Sequence, residues 1–492
     1  MHIPLDRQSD TPLYRQIELF LRQGIISGSL APNTRLPAIR QLSRDLGVNR
    51  ITVENAYAAL EADNLIYSRV GSGTYVLKPD PLPPLPRVLP GAPWPLWQKE
   101  ILSRSVTIRS HVPAEILATS KHPDPIDFAS GIGDSQLFPT EDFRKVLQSI
   151  MRRDGIGALQ YGDRRGYPPL RDTISHVLAT QGVQVHADNI LITAGSQQAI
   201  SLIAHLLLNP GDVVLVESPT YSGVINMFSL FGYKIVGVPV DQNGMQVEKL
   251  ESILQRHHPK LIYTIPNFQN PTGTCLSSPR RHTLITLADR YNIPILEDDF
   301  VGDLRYEGKT LPALKALDPG GRVLYVSTFS KMLMPGLRVG FLIADGPVYD
   351  ELLKLKAVND LATSSLIQRA LEAYVTVGRY QAHLRRTSGI YRKRRDAMAQ
   401  AIYHYLPARV NTHIPHGGLF IWLKLPNGLS CDDLLPLAHN EGVVFAAGSS
   451  FFPHNFEDPG CLRLNFVSNS SERIEEGIRR LGIAIRKLEG RD

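Results

Sequence analysis

Eight prolines fall within the seventeen residues from Pro79 to Pro95, in the string PDPLPPLPRVLPGAPWP. Proline fixes φ and has no backbone N–H to donate, so this stretch can join neither a helix nor a central strand. It is expected either to pack as a loop on a domain surface or to run extended as polyproline II. In the second form it is a semi-rigid spacer that spans ~50 Å at ~3.1 Å per residue. The 492-residue chain thereby divides into a first piece over 1–78, a proline-rich linker over 79–122 and a second piece over 123–492.

With 43% hydrophobic and 20% charged residues, the chain is expected to be globular rather than disordered or collagen-like. No apolar run approaches the ~18 residues of a membrane span; ISLIAHLLL is half that length. The opening MHIPLDRQSD has neither a basic n-region nor an apolar h-region. A cytoplasmic protein without a signal peptide and without membrane contact is therefore expected. Cys275, Cys431 and Cys461 lie far apart without a CxxC pair, so neither a metal site nor a disulfide framework is expected.

The net charge of +6 is mild for this length. Its placement says more. Arg35, Arg40, Arg44 and Arg50 face Asp45 alone, and seven basic residues with no acid run from Arg379 to Arg395. Each cluster reads as a solvated helix face or as a surface for nucleic acid. In the second run Leu384, Ile390 and Tyr391 are expected inside, with Arg385, Arg386, Arg392, Lys393 and Arg394 outside.

In the first piece, Leu13, Ile17, Phe20, Leu21 and Ile25 recur at helical spacing up to Gly28. A short second helix, IRQLSRDL, turns its Ile39, Leu42 and Leu46 inward. The turn Gly47-Val48-Asn49 follows, and then a third helix with Val53, Ala56, Tyr57 and Leu60 inward. Two short helices across a Gly-containing turn make a helix-turn-helix. LIYSRVGSGTYV alternates around a Gly-Ser-Gly tip as a β-hairpin, which completes a winged helix. Asn49, Arg50, Thr52 and Asn55 lie at the end of the third helix that reaches base edges in the major groove. Arg and Asn suit bidentate contacts to guanine and adenine, whereas Arg40 and Arg44 suit phosphates. The tip from Gly71 to Gly73, with Arg69, is expected along the DNA backbone or minor groove. The string from LPAIRQLSRDLGVNRITVENAY through GSGTYV closely resembles the GntR family of bacterial DNA-binding domains. It departs at Ala38, where that family often has a Ser or Thr able to cap the second helix.

From about residue 124, helical and strand patterns alternate. DVVLVES, KLIYTIP, IPILEDD, RVLYVST and VGFLIA read as buried strands, so an α/β sandwich on a mostly parallel sheet is expected. Ligands sit at the carboxyl ends of strands in such folds, and the chemistry-bearing residues follow those runs. AGSQQAI opens a helix whose free amides suit a phosphate. NFQNPTG carries Asn270, EDD is a carboxylate cluster, and FSKMLMPGLRVGF carries Lys331 and Arg338. An amine, an acid, amides, hydroxyls and an Arg are what pyridoxal 5′-phosphate needs.

Residues Asp127 to Leu481 resemble fold-type I, class I/II aminotransferases. The resemblance implies that Lys331 is the Schiff-base lysine and Asp298 the partner of the pyridinium nitrogen. Asn270 would bond the ring oxygen and Tyr221 would stack on the ring. Ser196, Gln197, Thr328, Ser330 and Arg338 would bind the phosphate, joined by Tyr161 from a partner subunit. Arg463, in CLRLNF, would bind a substrate carboxylate, and GGLFIW at Gly417–Trp422 matches a smaller C-terminal subdomain. That family commonly has a Tyr shortly after the pyridinium Asp. Here Asp299, Phe300, Val301 and Gly302 follow, so the Schiff base is expected to favour its protonated form, which weakens the case for fast transamination.

A GntR-type winged helix, a linker and an aminotransferase-like domain in one chain resemble the MocR/GabR family of bacterial regulators. The resemblance implies a cytoplasmic, pyridoxal phosphate-dependent transcription factor that binds a double-stranded DNA operator. It also implies a homodimer with domain exchange, and an amine, amino acid or the B6 vitamer itself as effector. The alternative is a working aminotransferase with an auxiliary DNA-binding domain.

Overall fold

The computed structural model describes residues 3–7, 9, 11–69, 72–77, 122–426, 428–453 and 460–490. The expected polyproline II spacer and Gly71 lie outside the described residues. Contacts divide the chain into Met1–Ser103 and Arg104–Asp492.

The first unit has three helices, α1 (Leu13–Ile26), α2 (Ile39–Leu46) and α3 (Arg50–Ala62), and a hairpin of β1 (Ile66–Arg69) and β2 (Gly73–Val76). Helix α2 ends because Gly47 takes φ +62°, a left-handed conformation that costs glycine little. Asn49 then starts α3, its side-chain oxygen accepting from Ile51 N at 3.1 Å. Ala38 makes no such cap for α2. The hairpin pairs from Ile66↔Val76 to Arg69↔Gly73. Ile17, Leu21, Ile25, Leu42, Val53, Ala56, Tyr57 and Leu60 form the core. Phe20, expected inward, is instead exposed, and Glu18 is buried. The contact stripe of α1 steps through residues four apart, 17, 21 and 25. That step drifts round a 3.6-residue helix, bringing position 18 in and carrying position 20 out. Arg22 compensates the buried Glu18 charge with a 2.5 Å bond.

The second unit begins with β3 (Ile126–Asp127). Its large sheet is built from β4 (Ile190–Thr193), β5 (Val213–Ser218), β6 (Lys234–Asp241), β7 (Gly244–Met245), β8 (Leu261–Thr264), β9 (Ile295–Asp298), β10 (Val323–Thr328) and β11 (Gly340–Ile343). The order is β4-β11-β10-β9-β8-β5-β6-β7. The centre, β10-β9-β8-β5-β6, is parallel, while β11 runs antiparallel to both its neighbours. The loop between β10 and β11 is too short for the crossover of a dozen or more residues that a parallel pair needs. Side chains alternate between two cores. Leu215, Ile262, Ile295 and Val323 pack on one face with Leu254 and Leu284. Val216, Tyr263, Leu296 and Val326 pack on the other with Ala199 and Ile203. A sheet covered on both faces explains the continuous apolar strands.

A smaller sheet has the order β12-β13-β16-β15, from β12 (Asn411–His413), β13 (Phe420–Lys424), β15 (Ala446–Ala447) and β16 (Cys461–Asn465). β14 (Val443–Val444) pairs with β3, which ties residues 126–127 to this subdomain. The helix Arg379–Tyr405 corrects the reading of the second basic run. Arg379, Arg385, Arg386, Arg392 and Lys393 are exposed, but Arg394 and Arg395 are buried. Arg394 donates to Asp134 at 2.7 Å and to the Val467 carbonyl at 2.6 Å. Arg395 donates to Glu307 at 2.5 Å. These carboxylates arrive from other elements, so Arg394 belongs to the interior and not to the outer face. No helix among the described residues is long and apolar enough to cross a membrane.

Candidate functional site

A cavity of about 200 Å³ opens at the carboxyl ends of β8, β9 and β10. Gly131, Ser196, Tyr221, Asn270, Asp298, Phe300, Thr328, Lys331, Phe420 and Arg463 line it. Asp298 ends β9 and is buried. One of its oxygens, Oδ2, accepts from Tyr263 OH at 2.8 Å, whereas Oδ1 has no partner. Burial pushes the Asp298 carboxyl up to about 7 against the pull of that hydrogen bond.

Lys331 follows β10 and donates from Nζ to the Gly131 carbonyl at 2.9 Å. Burial, then the neighbouring Arg463 and Arg338 charges, bring its amine down to about 8. Arg463, in β16, lies between the rings of Phe420 and Phe451, at 4.1 and 5.0 Å from their centroids. It donates to Asn270 Oδ1 at 2.9 Å and to the Ala129 carbonyl at 2.6 Å, and its buried Nε has no partner. Because Asn270 turns its oxygen to Arg463, its amide NH₂ is left for other work.

At one end of the cavity the helix Ser196–Leu207 begins after Gly195, whose φ is +110°. A Cβ at Gly195 would meet Arg338 Nη2 at 2.7 Å, and one at Gly340 would meet the Gly195 carbonyl carbon at 2.7 Å. The Ser330 amide donates to Thr328 Oγ1 at 3.1 Å, and Arg338 reaches Ser330 Oγ at 3.5 Å and the Ala194 carbonyl at 2.8 Å. This cradle combines a helix N-terminus, hydroxyls and a guanidinium, a donor set for a phosphate. Gln197 stands exposed at the rim, 3.5 Å from Tyr221 OH. Tyr161 is not brought to this cavity. It is 86% exposed and lines a separate surface depression with Ala158 and Leu366. Phe300 lines the cavity where a phenolic donor was missed. Sequence reading overlooked Tyr263, Gly131, Ala129 and Phe420.

The winged helix carries the other candidate surface. Arg40, Arg44, Asn49, Arg50, Asn55 and Arg69 are exposed, and Thr52 is half-buried. The Asn49 oxygen is committed to its cap, and Arg50 Nε donates to Glu54 at 2.7 Å. Arg69 lies over the Tyr67 ring at 5.5 Å. Gly73 takes φ +119°, a backbone conformation that L side chains rarely adopt, and a Cβ there would meet the Arg35 guanidinium at 2.9 Å.

The model of the family "Aminotransferase class I and II" matches residues 123–481. That of "Bacterial regulatory proteins, gntR family" matches residues 13–76. The uncharacterized HTH-type transcriptional regulator YdfD of Bacillus subtilis (strain 168) is 30% identical, over 98% of this chain and 98% of its own. The probable rhizopine catabolism regulatory protein MocR of Rhizobium meliloti is 30% identical, over 99% of this chain and 96% of its own. Among solved structures, the Pyrococcus horikoshii kynurenine aminotransferase in complex with PMP is 36% identical with a TM-score of 0.74. That match covers 79% of this chain and 99% of that one.

Proposed function

The chain is a MocR-type transcription regulator, a gntR-family region joined to a domain of the class I and II aminotransferase family, and from that premise we propose that it reports to DNA the occupancy of a pyridoxal 5′-phosphate pocket. The observation that carries this reading is the state of the cavity. One buried pocket holds an amine, an unpartnered carboxylate oxygen on Asp298 and an unpartnered guanidinium N–H on Arg463. These groups fit an aldehyde, a protonated ring nitrogen and a substrate carboxylate respectively.

Bound pyridoxal phosphate supplies an aldehyde that condenses with amines and a ring that draws electrons from the attached carbon. The chain's own residues do the holding. Asp298 would hold the ring nitrogen through Oδ1, and Asn270 the ring oxygen through its NH₂. Tyr221 would pack against the ring. The Ser196 helix start, Thr328, Ser330 and Arg338 would hold the phosphate, with Gln197 beside them. A Lys331 amine held near 8 is largely charged at neutral pH yet keeps a reactive neutral fraction. Tyr161, exposed here, joins the phosphate set from a second copy in a homodimer.

Sensing follows from what Arg463 and Lys331 touch. Both donate to carbonyls of Ala129–Gly131, near the start of the second piece of the chain. An amine that carries a carboxylate would compete with Lys331 for the aldehyde through its nitrogen and with the Ala129 carbonyl for Arg463 through its carboxylate. A ligand with different contacts in two states shifts the balance between them. On the DNA side, Arg50, Asn55, Thr52 and Asn49 read the major groove, Arg40 and Arg44 take phosphates, and Arg69 with the Gly71–Gly73 tip lies along the duplex. The second reading, a working aminotransferase, draws support from the intact set of Lys331, Asp298, Asn270 and Arg463. Operator footprints with apo-protein, holo-protein and a panel of amines, run beside timed turnover with an amino acid and 2-oxoglutarate, separate the two. Turnover at enzyme-like rates with footprints that ignore the ligand would reject the sensing role.

A further inference from the structure

Tyr263 sits in the middle of KLIYTIP, a run that otherwise reads as a plain buried strand. It is fully buried, and Phe228 fixes its ring edge-on, with centroids 6.2 Å apart. In the β8–β9 register Tyr263 stands beside Leu296, so Asp298 is its diagonal neighbour on the same face, within reach of a long side chain. Its hydroxyl donates to Asp298 Oδ2 at 2.8 Å. The other oxygen, Oδ1, is left without a protein partner, in the wall of the cavity.

We propose that Tyr263 is the positioning residue of the ring-nitrogen site: its hydroxyl occupies one oxygen of Asp298, which keeps the carboxylate an acceptor and aims the other oxygen at the cofactor. This rests on the assignment of Asp298 made above.

The charge balance around Asp298 explains why such a donor is needed. Burial and the Asp299 carboxylate on the same strand end both drive Asp298 toward its neutral form. Glu217 on β5 and the Tyr221 hydroxyl also face it and are themselves pushed up, Asp298 being one of the causes. Lys331 opposes the trend from beyond β10. The hydrogen bond from Tyr263 is the strongest influence that keeps the carboxyl charged. A neutral Asp298 cannot accept from a protonated ring nitrogen with the strength of a charge-assisted bond. Loss of the Tyr263 hydroxyl therefore weakens cofactor binding at neutral pH and spares it once the pH is high enough to ionise Asp298 unaided.

The test is a titration of apo-protein with pyridoxal phosphate, followed by absorbance from pH 6 to pH 9, on the parent, Tyr263→Phe and Asp298→Asn. Tyr263→Phe is expected to bind about tenfold more weakly at pH 7, with a loss that shrinks toward pH 9 and a midpoint moved upward. Replacing Tyr263 with 3-fluorotyrosine, nearly isosteric and a stronger donor, is expected to move the midpoint downward. That arm decides the matter if Tyr263→Phe does not fold. Superimposable pH profiles for the parent and Tyr263→Phe, or for the parent and the fluorotyrosine protein, overturn the proposal. If Asp298→Asn binds like the parent, the Asp298 assignment fails and takes the proposal with it. If Asp298→Asn loses binding while Tyr263→Phe matches the parent, the proposal alone fails.

Discussion

Lys331 and Arg463 are held by one short backbone segment: Lys331 Nζ donates to the Gly131 carbonyl at 2.9 Å and Arg463 Nη2 to the Ala129 carbonyl at 2.6 Å. The two cations come from β16 and from the loop after β10. Their shared tether lies beside β3, the first strand among the described residues of the second unit. A ligand that draws Arg463 away from Ala129, or Lys331 away from Gly131, would free one of these carbonyls.

The cofactor assignment predicts that Lys331→Ala loses the borohydride-reducible visible band of the holo-protein. The lysine makes one hydrogen bond to a carbonyl, so its removal leaves the apo fold intact by heat denaturation. An unchanged reducible band in the variant would show that another amine carries the cofactor.

Arg50 and Arg40 separate base reading from phosphate contact. Arg50→Ala is expected to cost about 1–3 kcal/mol against the operator and to relax its specificity. Arg40→Ala should weaken operator and random DNA alike and lower the salt slope by about one. Equal losses on both kinds of DNA for Arg50→Ala would remove it from base reading. Its bond to Glu54 must yield or be shared when it meets a base, so Glu54→Ala should alter base preference at the same position.

Much of the site was legible because its groups follow buried strand runs: Asp298 ends one, and Asn270 and Lys331 come just after others. What escaped depends on contacts between distant parts of the chain. Gly131 and Arg463 meet partners 200 and 334 residues away. Tyr263 reads as one more apolar strand position until the β8–β9 register makes Asp298 its diagonal neighbour. The winged helix was readable almost throughout because its signals are local: a helical period, a Gly turn and a hairpin tip. Phe20 failed because the stripe on α1 drifts. Arg394 failed because the carboxylate that makes its burial tolerable, Asp134, is 260 residues away.

That buried pair gives a stability prediction. Arg394→Ala leaves Asp134 without its main counter-charge and should destabilise the apo-protein by about 3 kcal/mol. Lys393→Ala, one residue earlier on the exposed face, should change it by less than about 0.5 kcal/mol. Chemical denaturation of both variants checks the contrast, and equal effects would contradict the burial of Arg394.

Buried carboxyls set the pH dependence of the apo-protein. Burial pushes Glu217, Glu297 and Asp298 each up to about 7, whereas in the unfolded chain they titrate near the ordinary carboxylate range, about 4. Between these limits the folded state binds more protons than the unfolded state, so stability falls as pH rises from about 4 to about 7. Apo-protein should melt at a higher temperature at pH 5.5 than at pH 7.5. Asp298→Asn should reduce that difference, and a melting temperature that rises with pH across this range would reverse the sign.

The central claim is that the pocket's occupancy is read at the operator. Its most direct test is the equilibrium affinity of holo-protein for an operator fragment as amino acids and carboxylate-free amines are titrated in. A typical coupling of ~1–3 kcal/mol predicts a change of ~5–150-fold for a ligand that carries both an amine and a carboxylate. The response should be absent in Arg463→Ala, whose cofactor band persists. Operator affinity that stays constant across apo-protein, holo-protein and every saturating ligand would contradict the account.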